Sequence, residues 1–161
     1  MFVNFDHLAD SSKIWIYQSN REFTENEIQE INEMLEKFIG SWKRHGDDLR
    51  ASYLIKYNQF IVLAVDEDHN EVSGCSVDAS THVFKQIEQT YQVDLFNKLN
   101  TAFKDGENIN IVSLADFQKY VKQEKINSKT TVFNNLIKTK KELSTAWEVD
   151  AENSWHSRYF N

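Results

Sequence analysis

The chain has 161 residues, of which 40% are hydrophobic and 13% aromatic, and it contains four glycines and no proline. This composition excludes collagen-like, proline-rich and glycine-linker proteins and is sufficient for a buried core. The formal charge of −7 opposes non-specific binding to nucleic acid or to anionic membranes. The single cysteine cannot form an internal disulfide, and no basic leader or long apolar run is present. We therefore expect a soluble, cytoplasmic protein with no membrane span.

The first part of the chain predicts a strand followed by an amphipathic helix. Residues Lys13–Gln18 are aromatic and β-branched, which favours a strand. Thr24 and Glu27 have the spacing of a capping box, in which each residue bonds the backbone amide of the other. The apolar residues that follow recur at helical spacing and predict a helix that ends near Arg44.

The next segments predict a hairpin and a second helix. Arg50–Tyr57 and Phe60–Val65 are strand-like, and Asn58-Gln59 between them suits a tight turn. After an acidic loop, the apolar spacing predicts a helix with Asp78 or Ser76 as its N-cap. Weaker patterns predict strands over Leu99–Phe103 and Ile109–Val112 and a helix over Leu114–Val121.

This order of elements, βαββαβ, is that of a ferredoxin-like α+β sandwich with both helices on one face of an antiparallel sheet. We predict a single domain over residues 1–161, with its core over about 13–121 and a C-terminal helical or extended appendage over about 126–161. Trp155 and Phe160 near the chain end would be unfavourable in water. We expect them to pack on this domain or on a partner.

Four segments carry a resemblance to a known family: Ile14-Trp15-Ile16-Tyr17, Phe60-Ile61-Val62, Ser73-Gly74-Cys75-Ser76-Val77-Asp78 and Ser154-Trp155-His156. Together they resemble a small bacterial family of similar length whose members are often labelled "ABC transporter ATPase". An ATP-hydrolysing cassette needs a Gly-x-x-x-x-Gly-Lys-Ser/Thr phosphate cradle, and no glycine here precedes a lysine. The apolar strand that ends in Asp66-Glu67 resembles only the magnesium-binding strand of such a cassette. We expect no ATPase activity.

Cys75 is the first candidate for catalysis, because a thiol at a helix N-terminus can be activated by the helix dipole. Asp78 and His82 follow at helical spacing, so the three residues suggest a Cys/His/acid site. Cys75 and His82 are nonetheless separated by about two helical turns, or roughly 10 Å, which is too far for direct proton transfer. We therefore favour a small, buried packing role for Cys75.

The same segment offers groups that bind anions. Ser73, Gly74 and Ser76 at a helix start present hydroxyls and amides to a phosphate or a carboxylate. Asp78 opposes this use, because its carboxylate already satisfies the helix dipole and would repel an anion. Ordinary helix capping is the favoured alternative.

We expect no metal site and no cofactor. Asp66-x-Asp68-x-Asn70 matches the start of a calcium loop, but Glu71 replaces the glycine of the sharp turn and Val77 stands where the bidentate glutamate belongs. The five histidines have no paired metal spacing, and one cysteine excludes a thiolate zinc site.

Charge is uneven along the chain. Residues 119–141 hold seven lysines against Glu124 alone, whereas residues 1–118 hold 10 basic and 20 acidic groups. The basic segment has no arginine and few aromatic residues, so we expect no nucleic-acid binding. A protein partner, or a homodimer between acidic and basic faces, remains open, and no particular small-molecule ligand is indicated.

No nucleophilic, metal or phosphate site is complete in this sequence. We therefore predict a non-catalytic binding or interaction module, whose surface is the sheet face left open by the helices. The alternative is an enzyme that uses Cys75 as its nucleophile.

Overall fold

The structure is a computed structural model that describes residues 1–67 and 72–160. By its contacts the chain divides into a first unit, Met1–Phe96 with Lys138–Lys140, and a second unit, Asn97–Ile137 with Lys141–Asn161. Both units are mixed α+β with antiparallel sheets. None of the helices in the described ranges is long and apolar enough to cross a membrane. The single domain over residues 1–161 stays a prediction.

The first unit is built on an antiparallel sheet with the strand order β1-β5-β4. Its elements are the 3-10 helix Phe5–His7, β1 (Lys13–Gln18), α1 (Glu25–Gly40), β2 (Lys43–Arg44), β3 (Asp47–Asp48), β4 (Ala51–Lys56), β5 (Phe60–Val65) and α2 (Gly74–Tyr91). β2 and β3 form a separate short ribbon. The predicted strand over Lys13–Gln18, both helices and the hairpin are thereby confirmed.

The ends of these elements need three corrections. α1 ends at Gly40 rather than near Arg44, because the chain turns into the β2–β3 ribbon. The N-cap of α2 is Ser73 rather than Asp78 or Ser76, since the Ser73 hydroxyl accepts from the Ser76 amide. The hairpin turn includes Tyr57 as well as the predicted Asn58-Gln59, because β4 ends at Lys56, and the φ angles of Tyr57 and Asn58 are positive at 55° and 54°. The capping box of Thr24 and Glu27 is present as predicted.

The core of the first unit lies between the sheet and the two helices. Ile61, Leu63 and Val65 of β5 belong to one buried cluster with residues of α1 and α2, among them Ile31, Leu35, Ile39, Phe84 and Ile87. Burial of each such side chain contributes about 1.5–3 kcal/mol before entropy losses. The alternate residues of β5, Phe60, Val62 and Ala64, are also 0% exposed. The expected open sheet face is therefore wrong for the central strand, which is buried on both sides.

The second unit has a sheet of its own, with the strand order β7-β6-β8-β9. Its elements are β6 (Asn100–Asp105), β7 (Asn108–Ser113), α3 (Leu114–Lys122), β8 (Thr131–Phe133), α4 (Lys140–Thr145), β9 (Glu148–Asp150) and the 3-10 helices Ala151–Asn153 and Trp155–Tyr159. The predicted strands over Leu99–Phe103 and Ile109–Val112 and the helix over Leu114–Val121 are confirmed as β6, β7 and α3.

The ferredoxin-like topology is not confirmed. The strand predicted over Ile109–Val112 pairs with β6 in the second sheet, whereas a ferredoxin-like sandwich requires it beside β1. The outer edge of β1 instead receives a short bridge, in which Lys13 lies opposite Thr139 and the Ile14 amide donates to the Lys138 carbonyl at 3.0 Å. The C-terminal appendage is not confirmed either, because the tail supplies β8 and β9 to the second sheet.

The aromatic residues of the tail pack within the second unit. Tyr159 and Phe160 lie against the buried cluster that contains Phe117, and Trp155 stacks on His156 with 3.7 Å between ring centroids. The expectation that the tail packs on the chain itself is therefore confirmed for these residues.

Candidate functional site

The segment at the start of α2 uses its polar groups to hold the helix in place. The Ser73 and Ser76 hydroxyls lie 2.8 Å apart, and the Ser76 hydroxyl donates to the Lys43 carbonyl at 2.8 Å. The Trp42 indole donates to the Ser76 carbonyl at 2.9 Å. Ser76 is buried, whereas Gly74 is exposed with open space around it. The Ser73 hydroxyl caps the helix and the Ser76 hydroxyl bonds the β2 backbone. Both hydroxyls therefore already have partners and are poorly available to a bound anion.

The three catalytic candidates lie on the solvent side of α2. Cys75 is a free, exposed thiol, and Asp78 and His82 are also exposed. The expected burial of Cys75 is therefore wrong. Helical geometry keeps Cys75 and His82 about 10 Å apart along the axis, and among described residues the three side chains make no hydrogen bond to one another. The structure places them on one stripe of the helix without bringing them into contact.

The residues behind the calcium and ATPase hypotheses are only partly described. Asp68, Asn70 and Glu71 lie outside the described residues. Asp66 is buried and its carboxylate lies 3.7 Å from the Arg50 guanidinium. Within residues 1–67 and 72–160, no group of three or more His, Cys, Asp or Glu residues is arranged to hold a metal ion.

The lysine-rich segment belongs mostly to the second unit, where a cleft of about 540 Å³ is lined by Lys104, Lys125 and Lys129 among others. Lys104 pairs with Glu148 at 2.5 Å, and Lys129 pairs with Glu152. The second unit as a whole holds 8 basic and 8 acidic groups. Two of the three lysines of the cleft are thus ion-paired and the second unit is neutral overall, so the cleft offers an anion no strong attraction.

Among the described residues, the outer edge of β4 is one part of the first sheet where backbone groups remain open. The Ala51 amide donates to the Met1 carbonyl and the Ala51 carbonyl accepts from the Val3 amide, each at 3.0 Å. The neighbouring Arg50 carbonyl points the other way and accepts from Asp66, the residue after β5. Because backbone groups alternate sides along an antiparallel strand, the amides and carbonyls of Tyr53 and Ile55 also point outward. Among described residues, none supplies a strand beside these two.

The open part of the edge begins where the N-terminal segment leaves it. Phe2 lies opposite Ala51 in a parallel bridge. Asn4 then caps the 3-10 helix Phe5–His7 by accepting from the Asp6 amide, and this helix packs beside β4 without continuing the strand pairing. Among the described residues, only Ala51 of β4 is therefore paired on this edge, and the backbone groups of Tyr53 and Ile55 have no strand beside them.

A cleft of about 480 Å³ lies beside this edge and belongs to the first unit alone. Its lining includes Tyr53 and Ile55 of β4, Ile28 and Asn32 of α1, and Phe2. The Tyr53 hydroxyl donates to Asn32 Oδ1 at 2.8 Å and lies 3.3 Å from a Glu36 carboxylate oxygen. Burial, and next the Glu36 charge, raises the pKa of Tyr53, so this side chain stays a neutral donor that fixes one wall of the cleft.

Sequence reasoning missed this site. The hairpin was predictable, but an open edge is defined by which strands do not pair there, and local patterns carry no such information. The N-terminal pairing was missed as well, because Met1–Val3 is too short for a strand signal. One signal was present: β4 has apolar or aromatic residues at Tyr53, Leu54 and Ile55 on both of its faces, as expected for a strand with contacts on both.

Comparison with protein-family models, with curated proteins and with solved structures finds no match to this chain.

Proposed function

We propose that this chain is a non-catalytic protein-interaction module that binds an extended segment of a partner along the outer edge of β4. The observation that carries the proposal is the outward orientation of the Tyr53 and Ile55 backbone groups beside a cleft of about 480 Å³. A bound segment would add a strand to the sheet, since main-chain hydrogen bonds give affinity and alternate side chains give specificity in this mode of recognition.

The expected affinity is modest. Two outward-facing residues exchange up to about four backbone hydrogen bonds with an added strand, each worth about 0.5–1.5 kcal/mol net. Apolar contact with Phe2, which is 43% exposed, and with Ile28 adds to this. After the cost of ordering the segment, these contributions correspond to dissociation constants in roughly the micromolar range or weaker.

The architecture of the first unit fits the same proposal. Its chain order β1-α1-β4-β5-α2 and sheet order β1-β5-β4 are those of a ferredoxin-like sandwich that lacks its last strand. We infer that the first unit is such a reduced ferredoxin-like core, with the bridge at Thr139 taking part of the missing strand's place. The outer edge of β4 is an edge of the sheet in that fold as well, whereas the missing strand would lie beside β1.

We infer that the chain does not hydrolyse ATP, despite the family label that its resemblance brings. The whole sequence lacks a glycine followed by lysine, and the Asp66 carboxylate faces the Arg50 guanidinium rather than a phosphate cradle. Magnesium-dependent release of phosphate from ATP that disappears in Asp66→Asn would overturn this inference.

A second function, an enzyme with Cys75 as nucleophile, is supported by the exposure of Cys75 in the first turn of α2. Asp78 or His82 would have to act through water or an incoming substrate group. Hydrolysis of simple esters or thioesters that is lost in Cys75→Ser but kept in Ser73→Ala would favour this function over strand binding.

The interaction function is tested by selection of peptides and one pair of variants. Extended peptides are selected from a random displayed library against the full chain, and their affinities are measured by fluorescence anisotropy. In Ile55→Pro the outward amide is removed at an edge position, where proline is tolerated; Ile55→Ala removes the side chain and keeps the amide. We expect Ile55→Pro to lose at least about tenfold in affinity relative to Ile55→Ala.

The two variants also separate binding from folding. If Ile55→Pro melts far below Ile55→Ala, its affinity no longer reports on binding alone. The readout is then hydrogen exchange in the unaltered chain, where peptide binding should protect the Tyr53 and Ile55 amides. The proposal is refuted if no peptide is selected, or if selected peptides bind without protecting these amides.

A further inference from the structure

The charge around the β4 edge indicates what kind of segment it takes. The first unit has 10 basic and 17 acidic groups, which accounts for the entire formal charge of −7. The second unit has equal numbers of basic and acidic groups. α1 contains one basic residue, Lys37, and five acidic residues: Glu25, Glu27, Glu30, Glu33 and Glu36. The helix beside the edge is therefore strongly acidic.

Four of the five acidic residues of α1 fall into two groups by their position around the helix. Glu27 forms an ion pair with Arg21 at 2.8 Å, and Glu30 accepts from the Tyr91 hydroxyl, so both serve contacts away from β4. Glu36 lies on the cleft side, within 3.3 Å of the Tyr53 hydroxyl.

Glu25 lies on the cleft side as well. It is exposed and stands one turn before Ile28, which lines the cleft. Neither Glu25 nor Glu36 forms an ion pair with any described residue.

The alternation of a strand decides which side chains of a bound segment meet these carboxylates. Tyr53 and Ile55 both pack against the cluster under α1, so residues directly opposite them on an added strand point to the α1 side. The residue between those two faces Leu54 on the opposite side of the sheet. Basic side chains opposite Tyr53 and Ile55 would therefore lie on the same side of the sheet as Glu25 and Glu36, and an apolar side chain suits the position opposite Leu54.

Resting on the function proposed above, we infer that the β4 edge takes an extended segment of another protein that carries lysine or arginine at alternate positions, separated by an apolar residue. A second copy of this chain is the disfavoured occupant. Pairing of β4 with β4 of another copy would bring the two acidic α1 helices onto the same face of a joined sheet. Repulsion between their carboxylates would oppose this association.

The test uses two synthetic peptides of about nine residues, one of alternating lysine and valine and one of alternating glutamate and valine. Binding to the full chain is measured by fluorescence anisotropy at about 0.02 M and about 0.2 M salt. We expect the lysine peptide to bind at least about tenfold more tightly than the glutamate peptide at low salt, and the difference to shrink at high salt.

Variants assign the effect to the cleft side of α1. In Glu25→Gln/Glu36→Gln the affinity for the lysine peptide should fall about three- to tenfold. Glu30→Gln is the matched control, because it removes the same type of charge from the other side of α1 and keeps an acceptor for Tyr91. We expect Glu30→Gln to bind as the unaltered chain does.

The possible failures of the inference and of the proposed function are distinguishable. Equal binding of both peptides, sensitive to Ile55→Pro, overturns the inference on charge and leaves strand binding intact. An equal loss in Glu30→Gln overturns it too, since the effect would then be the charge of the whole unit. If sedimentation shows dimers that Ile55→Pro converts to monomers, the chain dimerises through β4. The occupant of the edge is then a second copy, and the inference of a basic segment is overturned. If no peptide of any charge binds, the proposed function fails with it.

Discussion

Acid should destabilise the second unit through a single buried histidine. His156 is 0% exposed, stacks on Trp155 and lies 5.4 Å from the Phe117 ring centroid. Its Nδ1 lies 2.5 Å from the Ser154 hydroxyl, whereas Nε2 is buried with no hydrogen-bond partner among the described residues. Burial, and next the charge of Arg158, lowers the pKa of His156 from 6.5 to about 4.

The sign and size of the effect follow from this shift. A base whose pKa is lower in the folded state binds the proton more tightly when unfolded, so protonation favours unfolding. The free energy of unfolding should be flat above pH 6.5 for this group and should fall between pH 6.5 and about 4. One pKa unit corresponds to about 1.4 kcal/mol, so the total loss is at most about 3 kcal/mol.

Urea unfolding at several pH values between about 7.5 and about 4 measures this loss. In His156→Gln the loss attributable to the histidine should vanish, whereas His82→Gln, at an exposed position, should retain it. If His156→Gln does not fold, the histidine ring protons of the unaltered chain report the pKa directly by NMR. Parallel pH profiles for the unaltered chain and His156→Gln, or a ring that titrates near 6.5, would refute the reasoning.

Three further predictions concern stability. Ser76→Ala removes the hydroxyl of a buried serine that donates to the Lys43 carbonyl and should cost about 1–2 kcal/mol, whereas Ser144→Ala, at an exposed position, should change the urea midpoint little. Cys75→Ser should alter the free energy of unfolding by no more than about 0.5 kcal/mol, because the thiol is exposed; a larger loss would mean that Cys75 is buried. Deletion of residues 153–161 removes the buried His156 ring and the aromatic residues packed on the second core, and should lower the melting temperature by at least about 4 °C; an unchanged melting temperature would show that the tail contributes nothing to the core.

The elements that depend on local sequence were predictable. β1 has its predicted bounds, and the capping box of Thr24 and Glu27 fixes the start of α1, because a few neighbouring side chains decide both features. The end of α1 was not predictable from periodicity, since Trp42 continues the apolar spacing. Its indole instead bonds the Ser76 carbonyl, a residue 34 positions later.

The pairing of strands depends on distant contacts and was only partly predictable. The β4–β5 hairpin needs only a short turn, whereas the place of β7 depends on a choice between β6, reached by a turn at Gly106, and the distant β1. The short connection between β6 and β7 has the lower loop-closure cost, which favours the observed pairing. As a result β7, predicted as the fourth strand of a ferredoxin-like sheet, is not part of the first sheet.

The candidate site was predicted at the wrong place for a similar reason. The exposure of Cys75 could have been read from the phase of α2, because Ser76, Ser80, Phe84 and Ile87 form its buried side and Cys75 lies off it. The β4 edge had no such signal. Its openness results from the short reach of Met1–Val3, which ends at Ala51.

Amide hydrogen exchange in β4 tests the central proposal most directly. In the free chain the Leu54 amide should be protected, because it points to β5, and the Tyr53 and Ile55 amides should exchange at least about a hundredfold faster. Addition of the lysine and valine peptide should slow exchange at Tyr53 and Ile55 and leave Leu54 unchanged. Protection of Tyr53 and Ile55 equal to that of Leu54 in the free chain, or no change on addition of any selected peptide, would contradict strand binding at this edge.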